Sequence, residues 1–292
     1  MSHLADESAS QPECWARAIE MAAQAELALP RPGERVAAIG CGSSLNVARC
    51  YAALRESAGQ GETDAFPASE VPGTRRYDRL VFISRTGTTT EVLDALRQAP
   101  RDVVTVALTT DPAAPLARQA GHVVLLDYAA ERSVVSSRFI TSSIVLLRAH
   151  LGEDVRELPG QAARELARPL PAGLTERSEF TFLARGWAAG VADEAALKLR
   201  EASRTWAESY PAMEYRHGPI SVSDDSTVVW ALGEVPSDLL ADARGTGATV
   251  IASAGDPLAG LIGAQRLSVA LAERKGIDPD SPRALARSVI LA

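Results

Sequence analysis

The stretch Leu80-Val81-Phe82-Ile83-Ser84-Arg85-Thr86-Gly87-Thr88-Thr89-Thr90-Glu91 decides how this chain is read. Four apolar residues make a short buried strand and a hydroxyl- and glycine-rich turn follows. Val92, Leu93 and Leu96 then recur at helical spacing. A helix N-terminus carries backbone N–H groups without partners, and its dipole favours negative charge. A glycine there lets the chain approach a ligand closely. Ser84, Thr86, Thr88, Thr89 and Thr90 add hydroxyl donors with no fixed charge, which suits a phosphate monoester on a small polyhydroxy molecule. The lysine of a nucleotide P-loop and the GxGxxG spacing of a dinucleotide fold are missing, so nucleotides are disfavoured. Taken alone, such a cluster is more often an N-cap, and the turn needs company.

Working outward, the same unit recurs. Residues 12–29 form an amphipathic helical pattern closed by Pro30 and Pro32. Val36 to Ile39 reads as a strand that ends in Gly40-Cys41-Gly42-Ser43-Ser44, with a helix behind it through about Arg55. Further strands fall at Thr63–Phe66, Val103–Leu108 and His122–Leu126, and a long helix runs from Ser136 to Leu151. Strand and helix alternate, which predicts an α/β fold built on a doubly wound parallel sheet with ligands at the carboxyl ends of its strands. The turns at 41–44 and 84–89 then sit side by side, both able to face one ligand. Around Pro159, Pro169 and Pro171 the chain reads as a connector, and afterwards the scheme restarts. Phe180–Ala184, Val228–Leu232 and Thr249–Ala252 are strands; Trp187–Arg204 and Leu261–Arg274 are helices. The expected division is residues 1–155, a connector at 156–177, and residues 178–292. The second half has Gly233-Glu234-Val235 where the first has its hydroxyl-rich turn, so a phosphate cradle is not expected there.

Bulk properties narrow the class. At 292 residues with 46% hydrophobic content, two α/β domains are the default expectation. No apolar stretch approaches the roughly 20 residues of a membrane span, and residues 1–10 lack the pattern of a secretory signal. Cys14, Cys41 and Cys50 form no spaced framework, which fits a reducing cytoplasm. The four histidines are scattered and no metal or other cofactor is expected. A net charge of −7 without a basic block makes nucleic acid an unfavoured partner. Lys198 and Lys275 are the only lysines among 30 basic residues, which limits where amine chemistry can occur.

The second half carries EAALKLREASRTWAESYPAMEYRHGP, Glu194 to Pro219. Together with CGSS and SRTGTTTE this resembles the sugar isomerase (SIS) family in tandem form, two SIS domains over nearly the whole chain. It is similar to the isomerase half of the glutamine–fructose-6-phosphate amidotransferases and to amino-sugar-phosphate deaminases and deglycases. The resemblance implies a phosphate site at Ser84, Thr86 and Thr89, supported by the backbone of Arg85 and Gly87. Cys41, Gly42, Ser43 and Ser44 would help to hold the phosphate or sugar hydroxyls, and Ser136 matches a serine near the sugar. Glu201 falls on the proton-shuttling carboxylate, Lys198 beside it, and His217 on the histidine that opens the sugar ring. That histidine reaches into the partner subunit's site, which implies a homodimer.

Those residue types suit the chemistry. Aldose–ketose interconversion needs one base that moves a proton between adjacent carbons, and a partly buried carboxylate can do this near neutrality. Proton transfer at a ring oxygen suits histidine. Lys198, Glu201 and Arg204 would share one helix side, which in an arbitrary helix is a solvated ion-pairing face.

The chain also departs from the amidotransferase pattern. It begins Met1-Ser2-His3 with the SIS region close behind, so no glutaminase activity is expected. The tail DPDSPRALARSVILA resembles the segment that closes over the sugar, but Arg287 stands where the amidotransferase has its imine-forming lysine. A guanidinium stays protonated and forms no imine; it can clamp an anion or a sugar hydroxyl. Three functions follow: an enzyme that acts on a hexose or amino-hexose phosphate, either isomerising it or releasing ammonia from it, an ammonia-dependent synthase, and a non-catalytic sugar-phosphate sensor. The first is favoured because Arg287 counts against amination and Glu201 with His217 would be superfluous in a sensor.

Overall fold

The computed structural model describes residues 2–291. The chain starts with two helices, α1 (His3–Ala9) and α2 (Gln11–Ala25), and then alternates. The strand β1 (Val36–Gly40) leads into α3 (Ser43–Ser57), followed by β2 (Thr63–Pro67), β3 (Arg79–Ile83) and α4 (Thr90–Arg97). Next come β4 (Val104–Thr109), α5 (Pro115–Gln119), β5 (His122–Leu125) and α6 (Arg138–His150). After α7 (Leu158–Ala167) the order is β6 (Glu179–Ala184), α8 (Ala189–Ser203), β7 (Trp206–Pro211) and β8 (Thr227–Leu232). The last elements are α9 (Ser237–Gly245), β9 (Thr249–Ser253) and α10 (Pro257–Arg274).

The nine strands among the described residues form two all-parallel sheets, ordered β2-β1-β3-β4-β5 and β7-β6-β8-β9. Two compact units follow the sheets, and each is discontinuous in sequence. The first contains α2 to α6 and β1 to β5, together with the C-terminal tail from Leu285. The second contains α1, residues 133–135, and the chain from Leu158 to Ala284.

In the first unit β1 and β3 are buried along their whole length, as central strands of a parallel sheet covered on both faces must be. One face packs Ile39, Leu80 and Phe82 against Val92, Leu93 and Leu96 of α4. The pair α2 and α6 is joined by a buried polar relay in which Trp15 Nε1 donates to Thr141 Oγ1 at 2.8 Å. Thr141 Oγ1 in turn donates to Gln11 Oε1 at 2.7 Å. The strand order reverses between β1 and β3. Chains leaving that point diverge to opposite faces and open a crevice at the strands' carboxyl ends, where open α/β sheets bind ligands.

In the second unit Leu183, Val229 and Ala231 of the sheet pack on Leu239, Leu240 and Ala243 of α9. Leu4 of α1 lies in a buried cluster with Ala202 and Val269, and the N–H groups of His3 and Leu4 donate to the Asp280 carboxylate. Four elements go beyond the expected pattern: α1, α5, α9 and the edge strand β7. Three of them are helices of fewer than ten residues, and β7 reads WAESYP, half polar and ending in proline. None presents the apolar run that marks the other strands and long helices. No helix among the described residues is long and apolar enough to cross a membrane.

Candidate functional site

The turns at 41–44 and 84–89 follow β1 and β3, which pair directly with Gly40 opposite Ile83. Both turns therefore lie at the reversal point of the first sheet. In the first turn a Cβ on Gly40 would stand 2.6 Å from the Ser44 carbonyl carbon, so only glycine lets α3 start this close to β1. Gly42 is the N-cap of α3 and Ser43 its first residue; Ser44 is buried and its N–H donates to the Cys41 carbonyl at 3.1 Å. Burial pushes the Cys41 thiol up, so it is neutral near pH 7.

The second turn is shaped by its own hydroxyls. Ser84 Oγ accepts the Gly87 N–H at 3.2 Å, and Thr86 Oγ1 accepts the Thr88 N–H at 3.4 Å. A hydroxyl that accepts inside the turn keeps its proton to donate, so Ser84 and Thr86 offer O–H groups to an anion. Thr89 is the N-cap of α4 and contributes the same chemistry at the helix end. Gly87 has φ +62°, and a Cβ on it would lie 2.6 Å from Ala114 Cβ. Gly87→Ala is therefore expected to destabilise the protein by about 1–3 kcal/mol and to weaken phosphate binding. Urea denaturation and phosphate titration of the folded variant check the two parts.

The tail lies against this turn. Ser288 Oγ accepts from Thr88 Oγ1 at 2.9 Å and stands 3.3 Å from Thr89 Oγ1. The Thr90 N–H donates to the Val289 carbonyl at 3.1 Å, and Leu291 N–H donates to Thr90 Oγ1 at 2.9 Å. Arg287 is exposed, and its carbonyl accepts from Arg85 Nη2 at 3.4 Å.

Arg85 turns inward. Its Nη1 donates to Glu131 Oε2 at 2.8 Å, with the two side chains 8% and 0% exposed. The same Oε2 accepts from Ser136 Oγ at 2.7 Å. Oε1 accepts from Ser137 N–H at 2.6 Å and Phe139 N–H at 3.3 Å, closing the start of α6. Burial alone would raise the Glu131 pKa; the Arg85 charge and these donors outweigh it and hold the carboxyl below its ordinary value. Because Ser136 donates to Glu131, its oxygen is left to accept, which fits a sugar hydroxyl rather than an anion.

The second unit carries the other residues singled out from the sequence. On α8, Lys198 is fully buried and its Nζ lies 2.7 Å from Glu201 Oε2 and 3.2 Å from Glu194 Oε1. Glu194 is buried, whereas Glu201 is 19% exposed. Burial opposes the Lys198 charge, but the two carboxylates outweigh it and raise its pKa above the ordinary lysine value. A lysine held in this way is an ammonium donor and is withdrawn from imine chemistry. Arg204 departs from the expected shared face. It is the C-cap of α8 at φ +50°, pointing the chain into β7, and Lys198 and Glu201 do not form a solvated face. His217 is exposed at the end of a 3₁₀ turn over Ala212–His217. Lys275 Nζ donates to the Ser203 carbonyl at 3.0 Å and to Thr205 Oγ1 at 2.5 Å, and burial lowers its pKa.

Glu131, Glu194 and Ser288 escaped the sequence reading. Glu194 stands four residues before Lys198, the spacing of a helical ion pair, and could have been found from that signal. Glu131 pairs with a residue 46 positions away, which no local pattern exposes.

Residues 31–151 match the SIS domain family. A glutamine–fructose-6-phosphate aminotransferase (isomerizing) of Methanothermobacter thermautotrophicus is 29% identical over 307 aligned positions, covering 88% of this chain and 51% of that relative. The chain thus spans about half the length of the curated relatives it matches. Among solved structures, the glucosamine-6-phosphate deaminase of Thermotoga maritima is 26% identical with a TM-score of 0.85, covering 99% of this chain and 100% of that one. The tagatose-6-phosphate ketose/aldose isomerase of Escherichia coli shares the fold, with a TM-score of 0.82 at 19% identity over 98% of this chain and 97% of that one.

Proposed function

We infer, from the match of residues 31–151 to the SIS domain family, that this chain is a phosphosugar enzyme. It isomerises a hexose or amino-hexose phosphate between aldose and ketose forms, with release of ammonia when the substrate carries an amine. The observation that carries this reading is the buried Lys198 ammonium 2.7 Å from the partly exposed Glu201 carboxylate. A fixed ammonium beside one accessible carboxylate is a proton-transfer base held in one place.

The turns at 41–44 and 84–89 hold the phosphate, with Ser136 and Arg287 on the sugar hydroxyls. His217 moves a proton from the anomeric hydroxyl to the ring oxygen and opens the ring. Glu201 takes the proton from C2 of the open 2-amino aldose and returns it to C1 by way of an enolamine. The resulting imine at C2 takes up water and releases ammonia, leaving the ketose phosphate. Lys198 is buried, so its part is to position Glu201 rather than to touch the sugar.

Two features support deamination over amination. The full-length likeness to the Thermotoga maritima deaminase points the same way, and neither Arg287 nor the paired Lys198 can form an imine. The order β7-β6-β8-β9 repeats the order β2-β1-β3-β4, which supports a second SIS domain within the expected residues 178–292, although the tail from Leu285 groups with the first unit. Trp206, Met213 and Val222 are exposed large apolar side chains in the segment that carries His217. They support a homodimer in which His217 serves the partner's site.

Incubating the protein with a panel of hexose and 2-amino-hexose phosphates, followed by ammonia release and ketose formation, tests the reading. Turnover of an amino-hexose 6-phosphate to ketose phosphate plus ammonia is the expected result. Tight binding across the panel with no turnover would instead establish a sensor.

A further inference from the structure

We propose that the buried Arg85–Glu131 pair is the positioning device of the phosphate turn, acting on affinity through geometry and not as a direct anion ligand. The inference rests on reading residues 84–89 as the phosphate cradle and assigns Glu131 a role in it.

An arginine in a hydroxyl-rich anion turn is ordinarily expected to face the anion. Here its Nη1 is committed to a carboxylate with no exposed surface. The Arg85 main chain is tied down as well: its carbonyl accepts from Thr110 N–H at 3.1 Å, Thr109 Oγ1 at 3.1 Å and Thr110 Oγ1 at 2.9 Å. Glu131 is equally committed, to Arg85, to Ser136 Oγ, and to the N–H groups of Ser137 and Phe139. One carboxylate thus links the phosphate turn, the serine aligned with the sugar and the start of α6. A buried ion pair adds little net stability, because desolvating two charges offsets their attraction. What such a pair does supply is a single arrangement of the segments it joins. The pair is also neutral as a whole, so the anion is held by hydroxyls, N–H groups and the α4 dipole.

Two roles for Arg85 give opposite signs for the same variant. If Arg85 were a direct ligand, Glu131→Gln would release the guanidinium and tighten phosphate binding. If the pair positions the turn, Glu131→Gln weakens binding, and Arg85→Met weakens it by a similar factor. The double variant is then no weaker than either single change, because both remove one device.

Calorimetric titration of inorganic phosphate and of a hexose 6-phosphate into wild type, both single variants and the double variant reads these factors. Thermal unfolding of each protein is recorded alongside. We expect about a tenfold loss in each single variant, no further loss in the double, and a salt dependence unchanged from wild type. Glu131→Asp, which keeps the charge and withdraws it by one methylene, covers the case in which Glu131→Gln does not fold; it is expected to lose affinity while remaining folded. In turnover, the loss appears as a higher KM with kcat within about twofold of wild type. Glu131→Gln or Glu131→Asp binding phosphate as tightly as wild type, or additive losses in the double variant, overturns the positioning role alone. A wild type that binds no phosphate overturns the reading of the turn, and this inference with it.

Discussion

Glu201→Gln is expected to lower kcat by about 10²–10⁴-fold while phosphate binding stays at the wild-type level. Glutamine is nearly the same shape, and its carbonyl oxygen can still accept from Lys198 Nζ, which lies 2.7 Å from Oε2 in the wild type. What it cannot do is take up a proton and return it to the neighbouring carbon. Steady-state turnover, together with exchange of the C2 hydrogen against deuterated water, separates this from a binding defect. Both rates fall together if Glu201 is the base. Full turnover in the variant would remove Glu201 from the mechanism.

Lys198→Met carries the largest expected cost in stability. Methionine matches the side chain in length but leaves the Glu194 and Glu201 carboxylates, which flank Lys198 in the wild type, facing each other without an ammonium. Removing one partner of a buried ionic cluster typically costs about 3–5 kcal/mol, because the remaining charge is desolvated and uncompensated. The pH dependence should also change character. In the wild type the raised Lys198 pKa contributes stability that is fully present below the ordinary lysine value of 10.5 and is lost as pH rises beyond it through the folded-state value. In Lys198→Met the buried Glu194 favours its protonated form, its folded pKa lies above the unfolded one, and stability is regained as pH falls below neutrality. Urea denaturation between pH 5 and pH 9 measures the cost of the substitution and the variant's recovery at low pH. Adding Glu194→Gln to Lys198→Met should recover part of the loss. A Lys198→Met variant as stable as wild type at pH 8 would show that the ammonium is not what holds the carboxylates.

The strands of both sheets were legible wherever burial on two faces demands an apolar run, as in β1, β3 and β8. The edge strand β7 was not, because an edge pairs on one side and tolerates Glu208, Ser209 and a final proline. The helix that ends at Ser203 could be read from periodicity, but the left-handed Arg204 that closes it could not. A non-glycine residue at positive φ is imposed by the chain's need to turn into β7. The same division runs through the candidate site. Local spacing placed Lys198 and Glu201 on one helix and a hydroxyl turn before another, since such patterns depend on neighbours three or four residues apart.

The amino-acid sequence by itself determined the alternation of strand and helix, the two strand-to-helix turns rich in small hydroxyl residues, and the scarcity of lysine. Each follows from short-range sterics, periodicity or plain composition. Only the tertiary structure decided that Arg85 faces Glu131, that Lys198 is buried between two carboxylates, and that the Ser288 tail lies on the turn. Those outcomes depend on which charges lose their water together, and desolvation is set by residues distant along the chain.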